Sequence, residues 1–227
     1  MPYFFFDSTM VVLIPAIILA LYAQYKVKSV FSRYSGIRSS SGLTGYQIAR
    51  ELLAKNGIFD VEVEETRGVL SDHYDPRTAT VRLSPEIYEG DSISSLGVAA
   101  HEVGHAIQHK LGYVPLKWRT SLFPVANIGS SMAIPFFIIG LFLSIPVLMD
   151  IGIIFFTGAV LFQVITLPVE FNASNRALMQ LEGIGFLRNT EVQMARKVLH
   201  AASLTYVAAT AVAVAHLIRL LLLRREE

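Results

Sequence analysis

The sequence predicts a mainly α-helical, polytopic membrane protein with about four transmembrane helices and a small α+β segment between the first two. Two observations predict this class. Apolar residues make up 53% of the 227-residue chain and charged residues only 16%, whereas about a quarter of an average soluble domain is charged. Four apolar stretches also approach the roughly 20 residues that a spanning helix needs. A soluble chain of this length could not bury such an apolar excess in one core.

The four apolar stretches define the predicted spans. They lie roughly at 9–25, 122–148, 151–169 and 201–223. No Lys or Arg precedes Lys26, so the first stretch lacks the basic start of a signal peptide, and we expect it to be a retained anchor. The second and third stretches are separated only by 146–150, which predicts a hairpin that returns the chain to its starting side.

The distribution of Lys and Arg predicts the orientation. The segments between spans one and two and after span three are rich in these residues, whereas the N-terminus and the hairpin tip hold none. The positive-inside rule then predicts a multi-pass protein of the plasma (inner) membrane with both polar segments in the cytoplasm. Arg224 and Arg225 depart from the rule, because a full fourth crossing leaves them outside. Either they snorkel to the interface, or the fourth span is partly interfacial.

The polar segment 24–121 is expected to fold as α+β. Thr44 with Gln47 three residues later predicts a capped helix start, and Asn56-Gly57 predicts its end. The runs 59–64 and 78–84 alternate apolar and polar residues, which is typical of half-buried strands. Turn-forming residues at 71–76 separate these runs. The segment therefore predicts a helix and a small antiparallel sheet.

A short motif in the next predicted helix carries the chemistry. His101 and His105 are four residues apart, so both imidazoles leave one helix face and can share a zinc ion. Glu102 lies about 100° round the helix, where its carboxylate can accept a proton from a water bound to zinc and pass it to a leaving amine. The chain has no Cys, so one Zn²⁺ held by His and carboxylate ligands is the expected cofactor.

A catalytic zinc usually has three protein ligands and a water. His109 is about 12 Å from His101 along the helix axis, so we expect it to pack or to orient other groups. Glu170 is the better candidate, because the hairpin of spans two and three returns it to the side of His101 and an acidic group at a membrane boundary is costly unless used. The alternative is that Glu170 begins a cytoplasmic helix, where a carboxylate suits the helix dipole.

Three runs of the chain resemble a known family. They are V-A-A-H-E-V-G-H-A-I-Q-H at 98–109, L-S-D-H-Y-D-P-R at 70–77 and L-P-V-E-F-N-A-S at 167–174, and they resemble the YugP-type neutral zinc metallopeptidases of bacterial membranes. More distantly, the layout is similar to HtpX-type membrane zinc proteases, in which an H-E-x-x-H helix precedes a membrane hairpin and a Glu follows it.

The resemblance implies a zincin-like domain with a gluzincin-like site. It implies one zinc ion, with Glu102 as the base and with three ligands: His101, His105 and Glu170. HtpX-type sequences carry an Asp that orients a ligand His, where this chain has Ser174. A Ser hydroxyl can accept the same imidazole N–H without the charge, and Asn175 is an alternative orienting group.

The remaining candidates concern the substrate. His73 and Tyr74, between the two predicted strands, are possible contacts to the substrate or to an oxyanion. The edge of the predicted sheet could bind an extended peptide as an added strand. The net charge of +1 gives no indication of nucleic-acid binding.

Together these features predict a membrane-embedded, zinc-dependent endopeptidase that acts on membrane or membrane-proximal proteins. The alternative is a catalytically silent, metal-stabilised membrane scaffold that binds client proteins. The predicted divisions are an N-terminal anchor at 1–25, a cytoplasmic α+β segment with the H-E-x-x-H helix at 26–121, a transmembrane hairpin at 122–169, a cytoplasmic helical segment with the third ligand at 170–200, and a C-terminal transmembrane helix and tail at 201–227.

Overall fold

A computed structural model describes residues 8–225, so the first seven residues of the predicted anchor and the last two of the predicted tail lie outside the described residues. The described chain is mainly helical. Its elements, after a 3₁₀ turn at Ser8–Leu13, are α1 (Ile14–Ser35), α2 (Gly45–Lys55), β1 (Glu62–Glu65), β2 (His73–Asp75), β3 (Thr80–Leu83), α3 (Pro85–Tyr88), α4 (Ile93–Lys110), α5 (Val114–Phe142), α6 (Pro146–Gly183) and α7 (Asn189–Arg225). They form two compact units.

Four helical segments are long and apolar enough to cross a membrane, as the sequence predicts. They are Ser8–Ser35, Val114–Phe142, Pro146–Gly183 and Asn189–Arg225. Each is longer than its apolar stretch. The predicted connection at 146–150 is wrong, because the chain turns at 143–145 and Pro146 begins α6. Proline suits the first helical position, since its missing N–H is not needed there.

Helix α6 does not end at the predicted boundary near residue 169. It continues through Pro168 to Gly183. Beyond the apolar stretch, Ala173, Ala177 and Leu181 recur every four residues and are at most 1% exposed. This buried stripe explains the continuation, because packing of one face stabilises a helix more than its intrinsic propensity does.

One unit is called here the apolar unit. It contains Trp118–Pro168, the residues from Thr205 onward and the start of the chain. In it α5 and α6 approach closely, and a Cβ at Gly152 would lie 2.7 Å from the carbonyl oxygen of Ala133 and 2.8 Å from the backbone nitrogen of Phe137. Small residues of this kind let helix backbones approach in membranes, where van der Waals packing drives helix association.

Ionic and polar contacts explain the basic residues at the end of α7. Arg224 Nε donates to Asp150 Oδ1 at 2.8 Å, beside the turn between α5 and α6. Arg219 Nε donates to Thr9 Oγ1 at 3.3 Å, at the start of the first span. The end of α7 therefore lies with the start of the first span and with the hairpin turn, as four full crossings require. Arg224 is thus paired with an acidic side chain at this end of the apolar unit.

The second unit, Tyr25–Lys117 with Val169–Leu204, is called here the polar unit. The predicted capping box is confirmed: Thr44 Oγ1 accepts from the backbone N–H of Gln47, and the Gln47 side chain accepts from the backbone N–H of Thr44. Helix α2 ends at Lys55 with Asn56 as its C-cap, as predicted. Its apolar face packs on α4 in one core that also includes α3, β3 and parts of α6 and α7.

The predicted antiparallel sheet is wrong in its pairing. The strand order is β1-β3-β2, with β1 parallel to β3 and β2 antiparallel to β3. The residues at 71–76, predicted as a turn, include strand β2. The tight turn that joins β2 to β3 comes later, with Ala79 at a φ of 51°. The outer edge strand β1 is mostly exposed and carries three glutamates, Glu62, Glu64 and Glu65.

The Gly152→Ala variant tests the close packing of α5 and α6. We expect it to be destabilised by about 1–3 kcal/mol, because the added methyl group overpacks a backbone contact. Gly158→Ala is the matched control on the same helix, since a Cβ there meets nothing within 4 Å. The measurement is thermal unfolding of the detergent-purified proteins by circular dichroism. A melting temperature of Gly152→Ala at or above that of Gly158→Ala would contradict the packing.

Candidate metal centre

Helix α4, which belongs to the polar unit, carries His101 and His105. Its N-cap is Ser92, whose hydroxyl accepts from the backbone N–H of Ser95. Most of the helix is buried, from Ile93 to Gln108, with small residues at Ala99, Ala100 and Gly104. A helix buried on most sides needs such residues, because they allow neighbouring elements to approach its backbone.

Helix α6 approaches the backbone of α4 closely at Gly104. A Cβ at Gly104 would lie 2.7 Å from the carbonyl oxygen of Ala173, a distance that real Cβ atoms do not adopt. Gly104 stands between His101 and His105 in sequence, and Ala173 is three residues after Glu170. The backbone contact therefore fixes the separation between the histidines and the carboxylate.

The three predicted ligands meet at this contact. His101 Nε2 lies 3.3 Å and His105 Nε2 lies 3.6 Å from Glu170 Oε2, and one ligand atom from each residue lies within 4.8 Å of the other two. Ligands about 2.0–2.1 Å from a tetrahedral zinc ion are about 3.3 Å apart. The donor types and their spacing therefore fit a zinc ion, and Glu170, 1% exposed, has little access to water.

Each imidazole also has a partner at its other nitrogen. His101 Nδ1 lies 3.1 Å from Ser174 Oγ, and His105 Nδ1 lies 3.0 Å from Gln108 Oε1. The sequence interpretation included Ser174 but missed Gln108. The available signal was spacing, since a Gln three residues after a ligand His on a helix shares its face. Asn175, the alternative to Ser174, is exposed.

Glu102 is buried beside the cluster and is 7% exposed. Burial raises the pKa of Glu102 to about 7, with further upward shifts from Glu170 and Asp72, while His101 and a hydrogen bond from the Tyr74 backbone lower it. That hydrogen bond places edge strand β2 next to the carboxylate. A carboxyl group whose pKa lies near neutrality is suited to accept and return a proton.

The other predicted residues lie nearby but make different contacts. Tyr74 Oη and His109 Nδ1 are 2.8 Å apart, and burial raises the pKa of Tyr74 to about 12, so the phenol keeps its proton. His73 is exposed, and its Nδ1 lies 2.8 Å from the carbonyl oxygen of Ser71. The structure thus pairs His109 with Tyr74 instead of with the zinc-ligand candidates.

A chain with four candidate membrane-spanning helices and a His, His, carboxylate cluster that could hold a metal ion is of the class expected for membrane metallopeptidases. The sequence profile of the family described as "Putative neutral zinc metallopeptidase" matches residues 9–225. The chain belongs to this family. It is 50% identical over 210 residues to the "Putative membrane protease YugP" of Bacillus subtilis (strain 168), covering 92% of this chain and 93% of that protein. No solved structure matches.

The Gly104→Ala variant tests the contact that sets the cluster. We expect it to lose zinc affinity, because the added methyl group must push α6, and with it Glu170, away from the histidines. Gly97→Ala is the control on the same helix, since a Cβ there would lie 3.8 Å from the Cβ of Ala195, an ordinary contact. Competition with a chromophoric chelator measures the affinity. Equal affinities for the two variants would show that the close approach does not control the site.

Proposed function

We propose that the protein is a zinc-dependent endopeptidase in which His101, His105 and Glu170 hold the metal and Glu102 is the catalytic base. The observation that carries this proposal is the approach of both imidazoles to one Glu170 oxygen at 3.3 and 3.6 Å. This arrangement is supported by a further buried carboxyl group at the residue next to His101. A purely structural zinc site would need a fourth protein ligand and no base.

The chain's own residues supply binding, orientation and proton transfer. Zinc, when bound, would polarise the scissile carbonyl and make a water molecule more acidic. The Glu102 carboxylate takes the proton from the attacking water and delivers it to the leaving amine. Its burial removes competing solvent, and the backbone N–H of Tyr74 restricts the orientation of the carboxylate. Ser174 and Gln108 each face the Nδ1 atom of one ligand histidine.

We infer that the substrate binds in an extended conformation along β2. This strand is an edge of the sheet, and its Tyr74 N–H points toward Glu102 rather than into the sheet. An extended peptide that lies along this edge would pass beside Glu102. Tyr74 and His73 lie on β2, so we propose that their side chains contact such a peptide.

The substrate class follows from the proposed location. Glu170 lies on the same helix as the third apolar span, and the polar unit contains most of the Lys and Arg residues. These features support an active site that faces the cytoplasm at the plasma membrane. Membrane proteins and membrane-proximal segments are the proposed substrates.

The Glu102→Gln variant tests the mechanism. We expect it to bind zinc like the wild type and to lose proteolysis by about 10²–10⁴-fold, because the amide cannot accept the proton. The assay measures cleavage of casein and of a detergent-solubilised membrane protein by the purified, zinc-loaded chain. Equal cleavage by both proteins would disprove the role of Glu102. Zinc binding without cleavage by the wild type would instead favour the client-binding scaffold.

The Glu170→Gln variant tests the third ligand. We expect its zinc affinity to fall by more than the 10–100-fold that is typical for the loss of an outer hydrogen-bond partner, because a neutral amide replaces the anionic ligand. Glu182→Gln is the matched control, since Glu182 is an exposed residue of the same helix. Metal content after dialysis against a chelator measures the effect. Unchanged zinc retention in Glu170→Gln would remove Glu170 from the site.

A further inference from the structure

The side chain of Gln108, beside the candidate metal centre, is hydrogen-bonded at both of its polar atoms. It is 0% exposed. Its Oε1 lies 3.0 Å from His105 Nδ1, and its Nε2 donates to the carbonyl oxygen of Val169 at 2.8 Å and to Asn172 Oδ1 at 2.9 Å. The Gln108 amide thus contacts the predicted ligand His105 on α4. On α6 it contacts two residues that lie before and after the predicted ligand Glu170 in sequence.

The hydrogen bonds fix which way the amide points. Both Nε2 protons have acceptors that are oxygen atoms, so a flipped amide would place Oε1 against two oxygens and would leave them without this donor. The carbonyl oxygen of Gln108 must therefore face His105. A carbonyl oxygen only accepts hydrogen bonds, so His105 Nδ1 donates in this contact, and Nε2 is the nitrogen that faces Glu170 and can bind a metal ion.

We propose that Gln108 is a positioning residue for the zinc centre. It holds His105 in the tautomer and ring orientation that bind the metal, and it sets the distance between His105 and Glu170. The proposal rests on the zinc site proposed above and adds a role for a residue that touches neither metal nor substrate. The bond to Val169 and the bond to Asn172 lie on either side of Glu170, so one side chain spans both halves of the site.

The two ligand histidines are oriented by different means. His101 faces the Ser174 hydroxyl, which can rotate and which lies 3.4 Å from Ser203 Oγ. His105 faces an amide whose two other hydrogen bonds leave it no alternative orientation. Asn172 Oδ1, one of its acceptors, also receives a bond of 2.7 Å from Arg176 Nε. The outer network at His105 is therefore the more rigid of the two.

The geometry also predicts that the site can lose the amide without losing the fold. Val169 O lies inside α6, where the N–H of Ala173 is its i+4 donor, and Asn172 Oδ1 keeps the bond from Arg176. Replacing Gln108 with Met, a side chain of similar length, removes the acceptor for His105 while leaving both former acceptors with another donor. Replacing Gln108 with Glu keeps an oxygen toward His105 but removes both donors toward α6.

The test compares zinc affinity and metal-free stability in Gln108→Met, Gln108→Glu and the wild type, all as full-length protein in detergent. Zinc affinity comes from competition with a chromophoric chelator, and stability comes from thermal unfolding of the metal-free protein. We expect Gln108→Met to lose about 10–100-fold in zinc affinity, the usual effect of removing an outer partner of a ligand. Gln193→Met, an exposed position on α7, is the control for the substitution itself.

The glutamate variant separates positioning from mere stability. We expect Gln108→Glu to bind zinc more tightly than Gln108→Met, because the glutamate keeps the acceptor for His105. We also expect the metal-free form of Gln108→Glu to melt at a lower temperature than the wild type, because the glutamate lacks both donors toward α6. Parallel losses of affinity and stability in both variants would overturn the proposal, as would wild-type affinity in Gln108→Met. If Gln108→Met does not fold, a large loss of zinc affinity in a folded Gln108→Glu would overturn it. Absence of zinc binding by the wild type would overturn the zinc centre itself.

Discussion

The backbone contact between α4 and α6 is the constraint on which the candidate site depends. Gly104 lets the carbonyl oxygen of Ala173 approach to a distance that no Cβ would allow. The two histidines on one side of this contact and the carboxylate on the other are thereby brought within ligand range. Helix spacing therefore sets the distances among these three side chains.

Burial of the candidate site requires that its polar groups have hydrogen-bonding partners. Polar groups removed from water cost free energy unless they are hydrogen-bonded, and this part of the polar unit buries several of them: Glu102, His105, Gln108, Glu170 and Ser174. Each has a hydrogen-bonding or ionic contact in the structure. The same hydrogen bonds that satisfy these buried groups also orient the imidazoles and restrict the Glu102 carboxylate, so the core and the candidate site share one network.

The sequence indicated the parts of this structure that depend on local rules. The spacing of His101 and His105, the capping box at Thr44 and the short hairpin turn each follow from helix geometry or chain length. The proximity of Glu170 followed from counting membrane crossings. Its role as a ligand remains a prediction, although the distance to both imidazoles is what that role requires.

The features that the sequence did not indicate depend on long-range packing. Strand β2 is three residues long and consists of His, Tyr and Asp, so neither periodicity nor composition marks it as a strand; it forms because β3 offers a partner. The parallel pairing of β1 with β3 is equally non-local. Spacing alone could have paired Gln108 with His105, but its contacts to Val169 and Asn172 on α6 lie more than 60 residues away along the chain.

The two edges of the small sheet are chemically unequal. Along β1, Glu62, Glu64 and Glu65 are exposed, and concentrated charge of one sign discourages another strand from adding there. At the opposite edge, β2 turns a main-chain N–H toward Glu102. Charge therefore protects the β1 edge, whereas the main chain of the β2 edge is engaged by Glu102, so the two edges of one small sheet are protected by different means.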